Sequence, residues 1–269
     1  MRVRWHIPAM FIAAGVGLAG CDATDPSGDL INYDAAVVAA DGALEDLEMM
    51  HGPRLGLSGV VFPALIGGRP DCPKTQDVFL CDPVERAGIE YTRAITYRDV
   101  SGQAQDAYDE ATTNSIDYLI SVQGERGREG WSASIDRTRD FGVTGLLDGG
   151  GAVTWNGTMT GTVTRSRHFD EGEARSYEIQ SNGSVIDVVV PFPREDDSWP
   201  LSGTITRSLT ITRSNGDDSE TRQKFVLITF NGTSEVEVTV DGETFILDLT
   251  RRMGPGRHMD RRGGGGRGP

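Results

Sequence analysis

Lys224-Phe-Val-Leu-Ile-Thr-Phe230, Asn231-Gly232, Glu235-Val-Glu-Val-Thr-Val240, Asp241-Gly242 and Thr244-Phe-Ile-Leu-Asp-Leu249 form the stretch on which the fold turns. Apolar and polar residues alternate along it, which is the period of a strand with one buried face. Asn-Gly and Asp-Gly accept positive φ at both central positions, as a type I′ hairpin turn requires. Two such turns between alternating strands predict a three-stranded antiparallel meander. Val236, Val238 and Val240 then share the buried face, and Glu235, Glu237 and Thr239 share the wet one.

The same period runs upstream to Gly88. Tyr91–Tyr97, Ser115–Val122, Trp131–Arg137, Val143–Leu147 and Ala152–Trp155 read as strands. Asp148-Gly149, Asn156-Gly157, Asn182-Gly183 and Asn215-Gly216 read as corners between strands. Val185–Val190, followed by Pro191-Phe192-Pro193, reads as a buried strand ending at a bend, or as the lip of an apolar cleft. A short motif, T-[VI]-T-R-S, recurs at Thr162–Ser166, Thr204–Ser208 and Thr210–Ser214. A half-exposed strand with threonine and arginine outward accounts for it, with true duplication as the alternative. The expectation is a mostly β protein: a single antiparallel meander domain over residues 88–252. Curved sheet, partly closed barrel and sandwich all fit, because period-two patterning fixes faces and not closure.

The N-terminus carries an address. Arg2 and Arg4 precede an apolar run from Ile7 to Leu18, and small residues lead into a lone cysteine, Leu18-Ala19-Gly20-Cys21. This is the layout of a secretory signal, and it resembles the lipobox of bacterial lipoproteins. The run is shorter than the ~20 residues that span a bilayer, and nothing later in the chain reads as a span. The resemblance implies a signal peptide over residues 1–20, cleavage before Cys21 and lipid on the Cys21 sulfur. Each buried CH₂ then contributes about 0.8 kcal/mol to holding the chain on a membrane. The expected location is the bacterial cell envelope, lipid-anchored and facing the periplasm or the exterior. Inner and outer membrane both stay open.

Residues 21–32 read as a polar tether and residues 33–87 as a helix followed by a loop. Ala35, Val38, Leu44 and Leu47 fall near helical spacing over Tyr33–Met50, and Gly52-Pro53 stops the pattern. Leu55–Pro83 is rich in Gly and Pro and reads as an irregular loop. With Cys21 committed to lipid, Cys72 and Cys81 remain as a pair, and in an oxidising compartment they are expected to form a disulfide. Closing so short a loop contributes roughly 2–3 kcal/mol in the chain-entropy treatment.

The net charge is −14, and losing Arg2 and Arg4 with the signal makes the mature chain more acidic still. Such a body repels nucleic acid, so no nucleic-acid partner is expected. The Gly/Arg tail, residues 253–269, lacks core-forming residues and reads as disordered. It offers a grip for envelope polyanions such as lipopolysaccharide or teichoic acid, or for a protein partner.

Chemistry-bearing motifs are sparse. His6, His51, His168 and His258 are scattered, and Gly56-Leu-Ser58-Gly-Val60 lacks the last glycine of GxSxG. The acidic runs at Asp170–Glu173, Glu195–Asp197 and Asp217–Glu220 lack calcium-loop spacing. Asn156, Asn182 and Asn231 match the N-glycosylation pattern, but hairpin corners already account for Asn-Gly. No catalytic residue, metal or cofactor is expected. The leading reading is a non-enzymatic binding or structural module of the envelope. A carrier or chaperone for an apolar ligand, held in a curved sheet, comes second and an envelope hydrolase third. An apolar cavity would favour the carrier, a packed interior the binding module, and convergent carboxylates the hydrolase.

Overall fold

The computed structural model describes residues 72–86, 88–128, 131–168, 174–193, 198–215, 218–250 and 259–261. Every strand among them joins one antiparallel sheet, β1 Lys74–Thr75, β2 Val78–Arg86, β3 Ile89–Arg98, β4 Ser115–Arg128, β5 Trp131–Thr144, β6 Ala152–His168, β7 Ala174–Pro191, β8 Ser202–Asn215, β9 Asp218–Thr229, β10 Glu235–Val240, β11 Glu243–Asp248 and β12 Met259–Arg261. Spatial order equals chain order throughout, so the sheet is an up-and-down meander with β1 and β12 at its two edges. It is mostly β and antiparallel as expected, and it is an open sheet rather than a closed barrel. The expected helix over Tyr33–Met50 lies outside the described residues.

One row of side chains shows how the pattern builds the core. Ile95, Tyr118, Phe141, Gly157, Val185, Ile205, Ile228, Val238 and Phe245 stand opposite one another in unbroken register from β3 to β11. On one side of this row, the neighbours two residues along (Tyr97, Ile116, Val143, Trp155, Phe230, Val236 and Leu247) belong to the same buried cluster, which runs from Phe79 to Leu249. Tyr118 stacks on Trp155 with ring centroids 5.7 Å apart, a geometry that adds to simple area burial. Val236, Val238 and Val240 are each 0 % exposed, on the face their parity predicts.

The two hairpin signals resolve differently. Asp241 has φ 46° and Gly242 φ 91°, so both central residues of the β10–β11 turn take the left-handed region and the type I′ reading holds. Between β9 and β10 only Gly232 is left-handed, at φ 81°. Asn231 instead accepts hydrogen bonds at its Oδ1 from the Thr233 backbone N–H and hydroxyl, at 3.0 and 2.8 Å. The connection is therefore a longer loop organised by an Asx turn, not a two-residue turn.

Other expectations change. The sheet begins at Lys74 rather than Gly88, because residues 74–86, expected as loop, pair onto β3 through β2. Asn156-Gly157 and Asn182-Gly183 are not corners but lie inside β6 and β7. At the first pair the register shifts between Trp155 and Gly157, and on the facing strand it shifts between Ile186 and Val189. Asn156 stitches the two bulges together, accepting from the Asp187 N–H at 2.8 Å and donating to its carboxylate at 3.1 Å. Bulges bend strands and sharpen twist. Gly157, at φ 156°, sits where an added Cβ would stand 2.1 Å from the Asp140 carbonyl oxygen, so only glycine fits. Residues 259–261 pair as β12 with β11.

Candidate functional site

The two faces of the sheet are chemically opposite. Parity assigns the apolar residues to an inner face, and beyond the apolar row that face turns basic. Arg93, Ile120, Arg139, Met159, Gly183, Arg207 and Val226 form the next row in register. A further row runs through Arg137, Gly161, Ser181, Leu209 and Lys224. Towards the far hairpins, Arg126, Arg165 and Arg213 share the same side. The arginine of each T-[VI]-T-R-S repeat (Arg165, Arg207 and Arg213) thus points inward beside the apolar residue. The outward placement expected from composition is overturned by simple parity, since residues two apart share a face.

Glycines make room for these arginines. A Cβ on Gly161 would lie 2.6 Å from Arg137 Cγ, and one on Gly183 would lie 3.1 Å from Arg207 Cγ. The aliphatic stems lie flat across the bare backbone, covering apolar surface while the guanidinium stays polar. Arg139 and Arg207 are only 5 % and 7 % exposed. Guanidinium groups this buried are costly without compensating interactions, and both arginines interact with neighbouring groups, as do Arg93, Arg126 and Arg137. Burial also lowers the pKa of Arg93 from its ordinary value, and burial raises that of neighbouring Tyr118 well above the usual phenol range. The carboxylates of this face, Asp218, Glu220 and Glu243, lie near hairpin ends. Glu220 accepts from Arg222 Nε at 2.6 Å. Asp241, in the β10–β11 turn, reaches Lys224 at 2.9 Å.

The outer face carries hydroxyls, amides and acids. Ser121, Thr138, Thr160, Asn182 and Ser208 form one row, and Gln123, Asp136, Thr162, Gln180 and Thr210 the next. Between them lies an open groove of about 260 Å³, lined by Asp136, Thr138, Thr160, Gly161, Thr162, Gln180, Ser181 and Asn182. Short side chains on adjacent strands leave this trough unfilled. It offers hydrogen-bond donors and acceptors on exposed and half-buried side chains with a single carboxylate, and no nucleophile paired with a base among its lining residues. Asp117, Asp140 and Glu178 lie on the same side.

Of the residues expected to matter, Cys72 and Cys81 are joined as a disulfide with Cα atoms 4.2 Å apart. Cys81 stands opposite Arg93 on the inner side of β2. Cys21 lies outside the described residues, as do Asp170–Glu173, Glu195–Asp197, Ser58, His6, His51 and His258. Asp218 and Glu220 occupy the start of β9, by the β8–β9 corner, and His168 ends β6. Among the described residues no three His, Cys, Asp or Glu side chains gather as a metal site, and no helix is long and apolar enough to cross a membrane. The inner arginine rows were missed by sequence reasoning, although Asp136-Arg137-Thr138-Arg139-Asp140 carries the signal: acids at even positions, arginines at odd ones. No known protein family, curated protein or solved structure matches the chain.

Proposed function

We propose that this chain is a lipid-anchored protein of the bacterial cell envelope, and that it works there as a non-enzymatic binding module. The address rests on the lipobox-like Leu18-Ala19-Gly20-Cys21, and the Cys72–Cys81 disulfide accords with an oxidising compartment. The observation that carries the binding reading is the outer groove. Its lining of threonine, asparagine and glutamine side chains is held in strict register across β5, β6 and β7. A polar trough of this kind suits a polar, hydroxyl- or amide-bearing partner, because its donors and acceptors stand side by side on adjacent strands.

The test is to purify the native protein from membranes and identify what accompanies it by mass spectrometry, beside a Thr160→Trp variant that fills the groove. A polar partner retained by the wild type and lost by the folded variant supports the reading. Bound apolar lipid, equally retained by both proteins, would replace it with the carrier. The address has its own test: Cys21→Ser should abolish processing and detergent-phase partitioning, and normal processing of that variant would refute the anchor.

A further inference from the structure

Resting on the binding reading of the outer groove, we propose that the partner is an uncharged polysaccharide laid across the outer face of β5–β9, with Phe225 as the platform on which one sugar ring stacks. Three observations carry this. The first is the make-up of the face. Ser132, Ser166, Ser176, Ser214 and Ser219 form one outer row in register, and Ser134, Thr164, Glu178, Thr212 and Thr221 form the next. With the two rows that flank the groove, they make a sheet surface on which hydroxyls prevail. A hydroxyl both donates and accepts, so such a surface matches a chain of sugars, whose own hydroxyls do the same.

The second is charge. The outer positions of these rows hold no lysine or arginine. They hold the carboxylates of Asp136 and Glu178, and Asp140 stands in the row beyond the groove. Arg137, Arg139, Arg165, Arg207 and Lys224, on the same strands, belong to the inner side. A carboxylate accepts a charge-assisted hydrogen bond from a neutral sugar hydroxyl. An acidic or phosphate-bearing polymer would instead bring like charge to these acids, with no cation in the rows to offset it.

The third is Phe225. It ends the row of Thr138, Thr160, Asn182 and Ser208 and is 50 % exposed, a large apolar ring set among hydroxyls. A sugar ring carries C–H groups on its faces and hydroxyls around its rim. It can therefore pack a face against an aromatic ring while its rim bonds to the polar side chains alongside. Phe225 on β9 and Thr160 on β6 are roughly 14 Å apart at strand spacing, a span that suits a chain of sugars better than a single one. Nearer the far hairpins the hydroxyls bond one another, Ser132 to Ser166 at 2.6 Å and Thr212 to Thr221 at 2.9 Å. Among the described residues no such bond joins Thr138, Thr160, Asn182 and Ser208, whose side chains face solvent beside the groove.

Titration calorimetry of the full mature chain in detergent, with cellohexaose and chitohexaose as probes, tests this. At least one should bind saturably, with an affinity that changes less than about twofold between low and high salt. Phe225→Ala should weaken binding about tenfold and Phe225→Tyr should retain it. Thr160→Trp should abolish it, with unfolding midpoints of all three variants near that of the wild type. Failure of the folded wild type to bind either probe would overturn the glycan. A polar partner of another class that still co-purifies and is lost with Thr160→Trp would then leave the binding reading standing, and no partner at all would remove both. Binding indifferent to Phe225→Ala and Thr160→Trp would overturn the proposal too, as would hexagalacturonate, an acidic probe, bound more tightly than the neutral ones.

Discussion

The inner and outer faces of this sheet use the same strands and opposite chemistry. Along β5, Arg137 and Arg139 point inward while Asp136 and Asp140 point outward, so one strand supplies cations to one side and anions to the other. Across the sheet this repeats until an acidic chain, net −14, has a basic face. Net charge thus describes how the whole molecule behaves at a distance, and parity describes what each surface meets. The inner face divides again. Its apolar row from Ile95 to Phe245 holds the strands together, whereas the arginine rows bury charge at a cost that packing alone does not return.

The largest effect should come from placing the wrong chemistry in the apolar row. Val238 is 0 % exposed, between Ile228 on β9 and Phe245 on β11. Val238→Asp would bury a carboxylate among side chains that offer it no partner, costing several kcal/mol. Thermal or urea unfolding should show this as a large fall in midpoint. A variant as stable as wild type would mean the row is not the core.

Next in size is the fit of arginine stems over glycine. Gly183→Val would place a branched side chain where Cβ alone meets the Thr206 carbonyl oxygen at 2.5 Å and the stem of Arg207 at 3.1 Å. Overpacking of this kind costs about 1–3 kcal/mol. The same replacement at Gly102, where an added Cβ meets nothing within 4 Å, lacks that clash, and its cost comes from positive φ alone. Denaturant midpoints of the two variants separate crowding from backbone strain. Equal destabilisation would remove the argument that Gly183 exists to seat Arg207.

The meander was legible because alternation and turn chemistry agree there, and Val236, Val238 and Val240 face the core as their parity requires. The Asp241-Gly242 turn was legible too, since both residues tolerate positive φ. Asn231-Gly232 misled because asparagine's side chain serves an Asx turn as readily as a left-handed backbone, and the dipeptide does not distinguish the two. Asn156-Gly157 and Asn182-Gly183 misled for another reason. Their glycines answer the close approach of a neighbouring strand or an arginine stem, a tertiary fact with no local signature. Val78–Arg86 was hidden by Pro83 and the flanking glycines, although an edge region tolerates proline at a bulge, and the register shifts between Cys81 and Val84. The inner arginines could have been assigned by parity alone. Composition, which places arginine in water, overrode it.

A smaller effect joins the turn to the basic face. Asp241 Oδ1 accepts from the Phe225 N–H and Oδ2 from Lys224 Nζ, both at 2.9 Å. Its burial raises its pKa, but those hydrogen bonds and the Lys224 charge outweigh it and leave the group below its ordinary value. A carboxyl held low when folded stabilises above its unfolded value of about 3.9 and loses that contribution as pH falls through the lower folded value. Asp241→Asn keeps tolerance for positive φ and an acceptor for Phe225, and removes the ion pair, which is partly exposed and contributes up to about 1 kcal/mol. The stability difference between wild type and variant should be constant near neutrality and shrink below about pH 4. A difference that grows on acidification would reverse the sign assigned to this carboxyl.

The smallest effect belongs to the outer face, one residue from the largest. Glu237 stands between Thr229 and Ile246 in register and points away from the core. Glu237→Lys reverses a half-buried charge on the outer face without disturbing the apolar row, so stability should change by no more than about 1 kcal/mol. Measured beside Val238→Asp, it turns the comparison of faces into a single number: two adjacent residues, each changed to or from a charge, separated by several kcal/mol. If Glu237→Lys matched the loss at Val238, the charges would sit on the buried side. The register of β10 against β9 and β11 would then be displaced by one residue, which moves every side chain of the strand to the opposite face.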